Sequence, residues 1–201
     1  MATAAAVGLV ALGDEPRRES EPAPPAVDAG QGATRKVERV TPEHVAVVAA
    51  LGRAQTVADK VPLAIGRQFA DGGEHGVNME FARRAERRGP SVVWVAPASR
   101  GICLVSTDPR GMRGGFSVDC RSLREVALGR LYSTWVLGAD PRSGQVTVFG
   151  VVPNGVRAVT VTDDDGSTRL VPVRSNVFAV RGGHARWVEF DTPAGHQRTR
   201  V

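Results

Sequence analysis

The sequence predicts an α+β fold rich in antiparallel sheet, sandwich-like or a meander of hairpins, with three or four short helices mostly in its amino-terminal half. Three observations carry this. From Gln145 to Val201 apolar and polar residues alternate and glycines punctuate the runs, the period of half-buried strands joined by tight turns. Only 5% of residues are aromatic, so valine must build the core, which favours sheet. Finally, the helix-start signals lie before residue 132 and the hairpin signals dominate after it.

The amino terminus opens the chain with an apolar run, Ala2 to Leu12, that stops at Gly13 and Asp14. Spanning a bilayer takes about 20 such residues, and the positive flank of a signal peptide is missing. Behind it, Glu15 to Pro25 holds no core-forming residue, which predicts a disordered, extended linker. The layout suggests that residues 1–12 are the remnant of a signal or anchor segment, 13–37 a Pro-rich linker and 38–201 a single domain, with its hairpin-rich part at 145–201. The alternative for residues 1–12 is a plain Ala-rich terminus.

Thr41 and Pro42 start a helix that runs to Leu51, with Thr41 as N-cap and proline at the first helical position, where its missing N–H costs nothing. A second helical turn is expected from Thr56 to Lys60, since Pro62 keeps Val61 out of the helical region. Residues 71–77 read as a loop. It holds Asp71, Glu74 and His75, ligand-type residues, but a glycine-rich loop does not fix a coordination geometry by itself. Asn78 to Arg88 reads as a helix whose Arg83, Arg84, Arg87 and Arg88 share one side near its end, either complementing the helix dipole or contacting an anionic partner.

Val92 to Pro97 and Ile102 to Ser106 form a first hairpin around the turn 98–101. Ser122 and Glu125 make a capping box. The helix it opens, to about Tyr132, turns Leu123, Val126, Ala127 and Leu131 toward a core. Trp135 to Leu137 and Gln145 to Val152 are a second hairpin around 140–144. In the closing region Val159, Val161, Gly166 and Arg169 recur 29 positions later as Val188, Phe190, Gly195 and Arg198, so two similar hairpins are expected to pack as neighbours.

Cys103 and Cys120 lack zinc-site spacing and accompanying histidines. An even count behind an export-like terminus reads as one disulfide, closing a loop that contains Gly111, Gly114 and Gly115 and adding about 3 kcal/mol. The rival readings are two buried thiols or a catalytic thiol.

The formal charge is +5, and of 26 Lys and Arg residues only Lys36 and Lys60 are Lys. With few Ile and Asn beside abundant Ala, Gly, Val and Pro, this reads as a GC-rich coding bias, so nucleic acid is an unlikely partner despite the charge. The acidic turn Asp163 to Gly166 meets neither the spacing nor the closing Glu of a calcium loop. No nucleophile elbow, zinc-protease motif or phosphate-binding glycine loop occurs, and His184 and His196 fall in turns. No cofactor and no metal are expected.

The stretch Val151 to Val156, running into Val159 and Val161, the Asp-Gly turn, Val171 to Val173 and Asn176 to Val180, resembles β-rich modules of uncharacterised exported or membrane-anchored proteins of high-GC Gram-positive bacteria, over roughly residues 45–190. The resemblance implies an envelope location and a non-catalytic sandwich-like fold, and it carries over no functional residue. The expected function is a non-enzymatic, exported or membrane-tethered module binding a protein or a cell-envelope ligand through loops or a sheet face. A membrane association would run through the amino-terminal segment. The alternatives are an Arg-rich cytoplasmic nucleic-acid binder and a hydrolase with an unrecognised site assembled from distant residues.

Overall fold

The computed structural model describes residues 37–88, 90–108, 110, 115–137, 145–192 and 195–201. The expectations for residues 1–12, for most of the linker, for the turn 140–144 and for Gly111 and Gly114 lie outside them. The architecture is α+β, with antiparallel sheets and short helical pieces gathered mainly in the amino-terminal half.

Helix α1 (Pro42–Val47) starts as expected after Thr41, but it ends at Val48, and Ala49–Gly52 continues as a 3-10 turn. Two asparagines far along the chain break it. Asn154 Nδ2 donates to the carbonyls of Val45 and Ala46 (both 2.9 Å) while its Oδ1 accepts from Ala49 N. Asn176 Oδ1 accepts from Ala50 N. Side-chain amides thus satisfy groups that a longer helix would pair internally. His44, 4% exposed, fixes the helix from inside: Nε2 donates to Ala98 O (2.9 Å), leaving Nδ1 to accept from Thr41 N.

The turn at 56–60 is 3-10 over Val57–Asp59. Helix α2 (Leu63–Gln68), which begins directly after Pro62, was not anticipated. The loop 71–77 contains a 3-10 turn at Gly73–His75.

The helix expected over 78–88 does not form. Asn78 caps a 3-10 turn, Met79–Phe81, and the chain then extends as strand β1 (Arg83–Arg88). It pairs antiparallel with β2 (Ser91–Ala98), with a bulge between Arg84 and Glu86. Ladder pairing overrides the weak local preference of this polar run, because β2 carries a buried apolar face that needs a neighbour.

Strand β3 (Gly101–Thr107) completes the expected hairpin with β2, and β4 (Phe116–Ser122) adds the fourth strand of a first sheet, ordered β1-β2-β3-β4. Helix α3 (Leu123–Ala127) opens with the capping box of Ser122 and Glu125. It stops well before Tyr132: Gly129 takes φ +70°, and Leu131 already belongs to β5 (Leu131–Leu137). Strands β5, β6 (Gln145–Val151) and β9 (Val177–Arg181) form a second sheet, ordered β5-β6-β9.

The third sheet is ordered β11-β10-β7-β8, from β7 (Ala158–Asp163), β8 (Thr168–Pro172), β10 (Ala185–Thr192) and β11 (Gly195–Arg200). The two hairpins with the 29-residue echo therefore are neighbours, and Val161 pairs with Val188 at their junction.

The sheets stack. Val93, Val95, Ile102 and Leu104 of the first sheet meet Leu131, Phe149, Val151 and Val177 of the second, together with Val48 and Leu51. On the far side of the second sheet, Val148, Phe178 and Val180 meet Val159, Val161, Val188 and Phe190 of the third. The outer face of the first sheet, Trp94, Ala96, Cys103 and Val105, is covered by Ile65, Val77 and Met79. Strand β3 is buried on both faces along its whole length, which is why its sequence is an apolar run without alternation.

Candidate functional site

Cys103 and Cys120 sit directly opposite one another on β3 and β4, Cα atoms 4.1 Å apart, and are joined as a disulfide. The covalent brace ends one residue before Arg121, which lines the site described below.

The four arginines singled out from the sequence do not make a common face. On a strand, neighbours point to opposite sides, and Arg83 is 8% exposed, donating from Nε to Arg53 O (2.9 Å) and from Nη1 to Phe81 O (2.8 Å). Burial lowers its pKa from the ordinary guanidinium value. Arg84 contributes its backbone N–H to Asp59 Oδ1 (2.7 Å) and its carbonyl to Arg53 Nη2. Arg87 is exposed, and Arg88 is placed only as the end of β1. Arg83 is spent on internal carbonyls, so it is not displayed together with the others as the helical reading expected.

Asp71, Glu74 and His75 stay apart in role as well. Asp71 Oδ1 accepts from Gly73 N (3.0 Å) within its own loop. The carbonyl of His75 accepts from both N and Oγ of Ser99 (3.2 and 3.0 Å), tying this loop to the β2–β3 turn. Among the described residues no group of three His, Cys, Asp or Glu is placed to hold a metal. His184 lies in a turn, as expected; His196 lies on β11, where Nδ1 meets Asp191 Oδ1 at 2.9 Å on an exposed surface. In the acidic turn Asp165 accepts from Ser167 N (2.8 Å) and Asp163 pairs with Arg169 (3.3 Å), so its carboxylates serve the turn.

The fold assembles a different basic site. A cleft of about 340 Å³ is lined by Arg121, Arg130, Arg198 and Arg200, with Tyr132 and Glu125. Arg121 comes from the end of β4, one residue past the disulfide, and donates from Nη1 to Cys120 O (2.8 Å). Its backbone is set by a close approach: a Cβ on Gly101 would lie 1.9 Å from Arg121 O, so only glycine fits there. Arg130 stands between α3 and β5. Arg198 and Arg200 are two apart on β11 and therefore share a face.

Arg198 is held in place by two contacts. Its guanidinium stacks 4.4 Å above the Trp187 ring, and Nε meets Glu189 Oε1 at 2.9 Å. Among the described residues Glu125 is the one acid lining this cleft. Its carboxylate accepts from Ser122 Oγ (2.8 Å) and Ser122 N (3.1 Å). Those bonds, with smaller contributions from Arg121 and Arg130, hold its pKa below the ordinary glutamate value. Four cations and the committed Glu125 carboxylate thus line the cleft, with Glu189 pairing Arg198 from beside it. Arginine offers planar paired donors to phosphate or carboxylate groups, and the walls of a cleft strengthen that attraction.

A second cleft of about 430 Å³ adjoins it, sharing Arg121 and Glu125 and reaching His75, Ser99 and Arg100. The second cleft also carries Glu74.

The arginines of this site come from three separated stretches, and only the i, i+2 spacing of Arg198 and Arg200 was visible locally. Comparison with protein-family models, with curated proteins and with solved structures found no match in any of the three.

Proposed function

We propose that the chain is a non-enzymatic, extracytoplasmic module that binds an anionic, phosphate- or carboxylate-bearing ligand of the cell envelope in the arginine-lined cleft. The observation that carries this reading is the convergence of Arg121, Arg130, Arg198 and Arg200 on one concave surface with Glu125 as the one acid among its described lining residues. Glu125 is engaged by the cap of α3, which favours binding over acid–base chemistry. The Cys103–Cys120 bond supports an oxidising compartment, since structural disulfides persist there and are rare in reducing cytosol.

Calorimetric titration with inorganic polyphosphate tests the cleft. Affinity should fall steeply between about 50 and about 200 mM salt. The R130A/R200A variant should lose about tenfold or more in affinity, each lost ionic hydrogen bond being significant, while R87A binds like the parent. Equal binding by parent and R130A/R200A would dismiss the site. A thiol count tests the compartment: two labelled cysteines in denatured, unreduced protein from the native source would remove that part of the reading.

A further inference from the structure

We propose a second contact surface, the edge formed by the 3-10 turn at Val57–Asp59 and helix α2, which docks on the headgroup region of an anionic lipid bilayer. Among the described residues only Val57, Leu63 and Leu170 are large apolar side chains left exposed, and two of them lie here, Val57 at 82% and Leu63 at 66%. Leu63 also lines a groove of about 550 Å³, together with Val61, Phe69 and Met79.

The charge on this edge has one sign. From Arg53 to Ala70 the sequence holds a single acid, Asp59. That acid is 1% exposed, and Arg53 neutralises it. Lys60 and Arg67 are exposed beside the apolar groove, with Glu80 as the one acid among its lining residues. An apolar edge flanked by cations matches a surface of anionic headgroups over acyl chains, and the long stem of Lys60 lets its ammonium stay at headgroup level.

The edge is also held outward. Asp59 accepts from Thr56 N (2.6 Å), Thr56 Oγ1 (2.8 Å) and Arg84 N (2.7 Å), and Gln55 Nε2 donates to Glu80 O (2.7 Å). Ile65 is fully buried on the other side of α2. Val57 and Leu63 are therefore presented by a fixed support and do not fold back into the core. Projecting side chains of this sort suit a lipid interface, which closes around them, whereas a protein partner would need a matching pocket.

Co-sedimentation of the full chain with vesicles decides it. The parent should bind vesicles of phosphatidylcholine mixed with phosphatidylglycerol and bind pure phosphatidylcholine far less. V57D/L63D should lose about a hundredfold in partitioning, because two apolar side chains that would enter the bilayer are replaced by charge. K60E/R67E should lose binding to the mixed vesicles as well. Unchanged far-UV circular dichroism and unfolding midpoint establish that these exposed substitutions leave the fold intact. The R130A/R200A variant should still bind. If the parent ignores both vesicle types, or V57D/L63D binds like the parent, or binding disappears only in R130A/R200A, the proposal is overturned.

Discussion

Asn176 donates from Nδ2 to Asn154 Oδ1 at 3.0 Å, and this pair of amides clasps the amino-terminal helical segment to the middle of the sheet stack. Asn154 alone serves Val45 O, Ala46 O and Ala49 N, while Asn176 also reaches Val152 O (3.2 Å). Replacing Asn154 by alanine leaves three backbone groups without partners. The N154A variant should lose about 2–4 kcal/mol of stability, read from urea midpoints at constant slope. A loss smaller than that of an ordinary surface substitution would show that water replaces the amide.

Asp59 makes stability depend on acid. The Arg53 guanidinium first, and then the donors of Thr56 and Arg84, hold its carboxyl well below the usual carboxylate range. A group depressed in the folded state stabilises above its unfolded pKa, near 4, and that stabilisation drains away as the pH falls below it. D59N should therefore be less stable than the parent at pH 7, by about 2–4 kcal/mol. The difference between the two should shrink on acidification toward about pH 2. A gap that stayed constant with pH would contradict the pairing.

The cross-strand bond between Cys103 and Cys120 spans a sequence separation of 17. Removing it in C103A/C120A should cost about 3 kcal/mol, mostly by freeing the unfolded chain. The β3–β4 ladder runs on both sides of the bond, so the sheet should persist at room temperature. Because Arg121 follows Cys120 directly, polyphosphate affinity should weaken alongside stability.

At Gly150 the second sheet has no room for a side chain. A Cβ there would lie 2.2 Å from Cε1 and Cζ of Phe178, its cross-strand partner. G150A should cost about 1–3 kcal/mol through overpacking. In G150A/F178L the two costs should be less than additive, as expected of residues in contact.

The β2–β3 hairpin could be read from the chain because a tight turn separates two apolar runs, and the cap at Ser122 could be read because both of its partners are three residues apart. The neighbouring hairpins were legible from the echo of Val159 and Val161 in Val188 and Phe190, and Val161 pairs with Val188 where they meet. Strand β1 was not. Its arginines fit helical spacing and show no strand alternation, and the decision belongs to β2 and to Asp59, which lies 25 positions from Arg84. Strand β4 shows an apolar alternation in Phe116, Val118 and Cys120 that was absorbed into the disulfide loop. The arginine cleft showed locally only the i, i+2 spacing of Arg198 and Arg200: β4, the α3–β5 link and β11 meet only once the sheets have stacked.

Strand β9 reaches the middle sheet only after the chain has left it, built the β7–β8 hairpin in the outer sheet and come back. The halves of the protein are consequently interlocked by insertion. A chain cut before Val177 forfeits the edge of the central layer and uncovers Phe149 on one side and Val148 on the other, so neither fragment should survive as an autonomous unit.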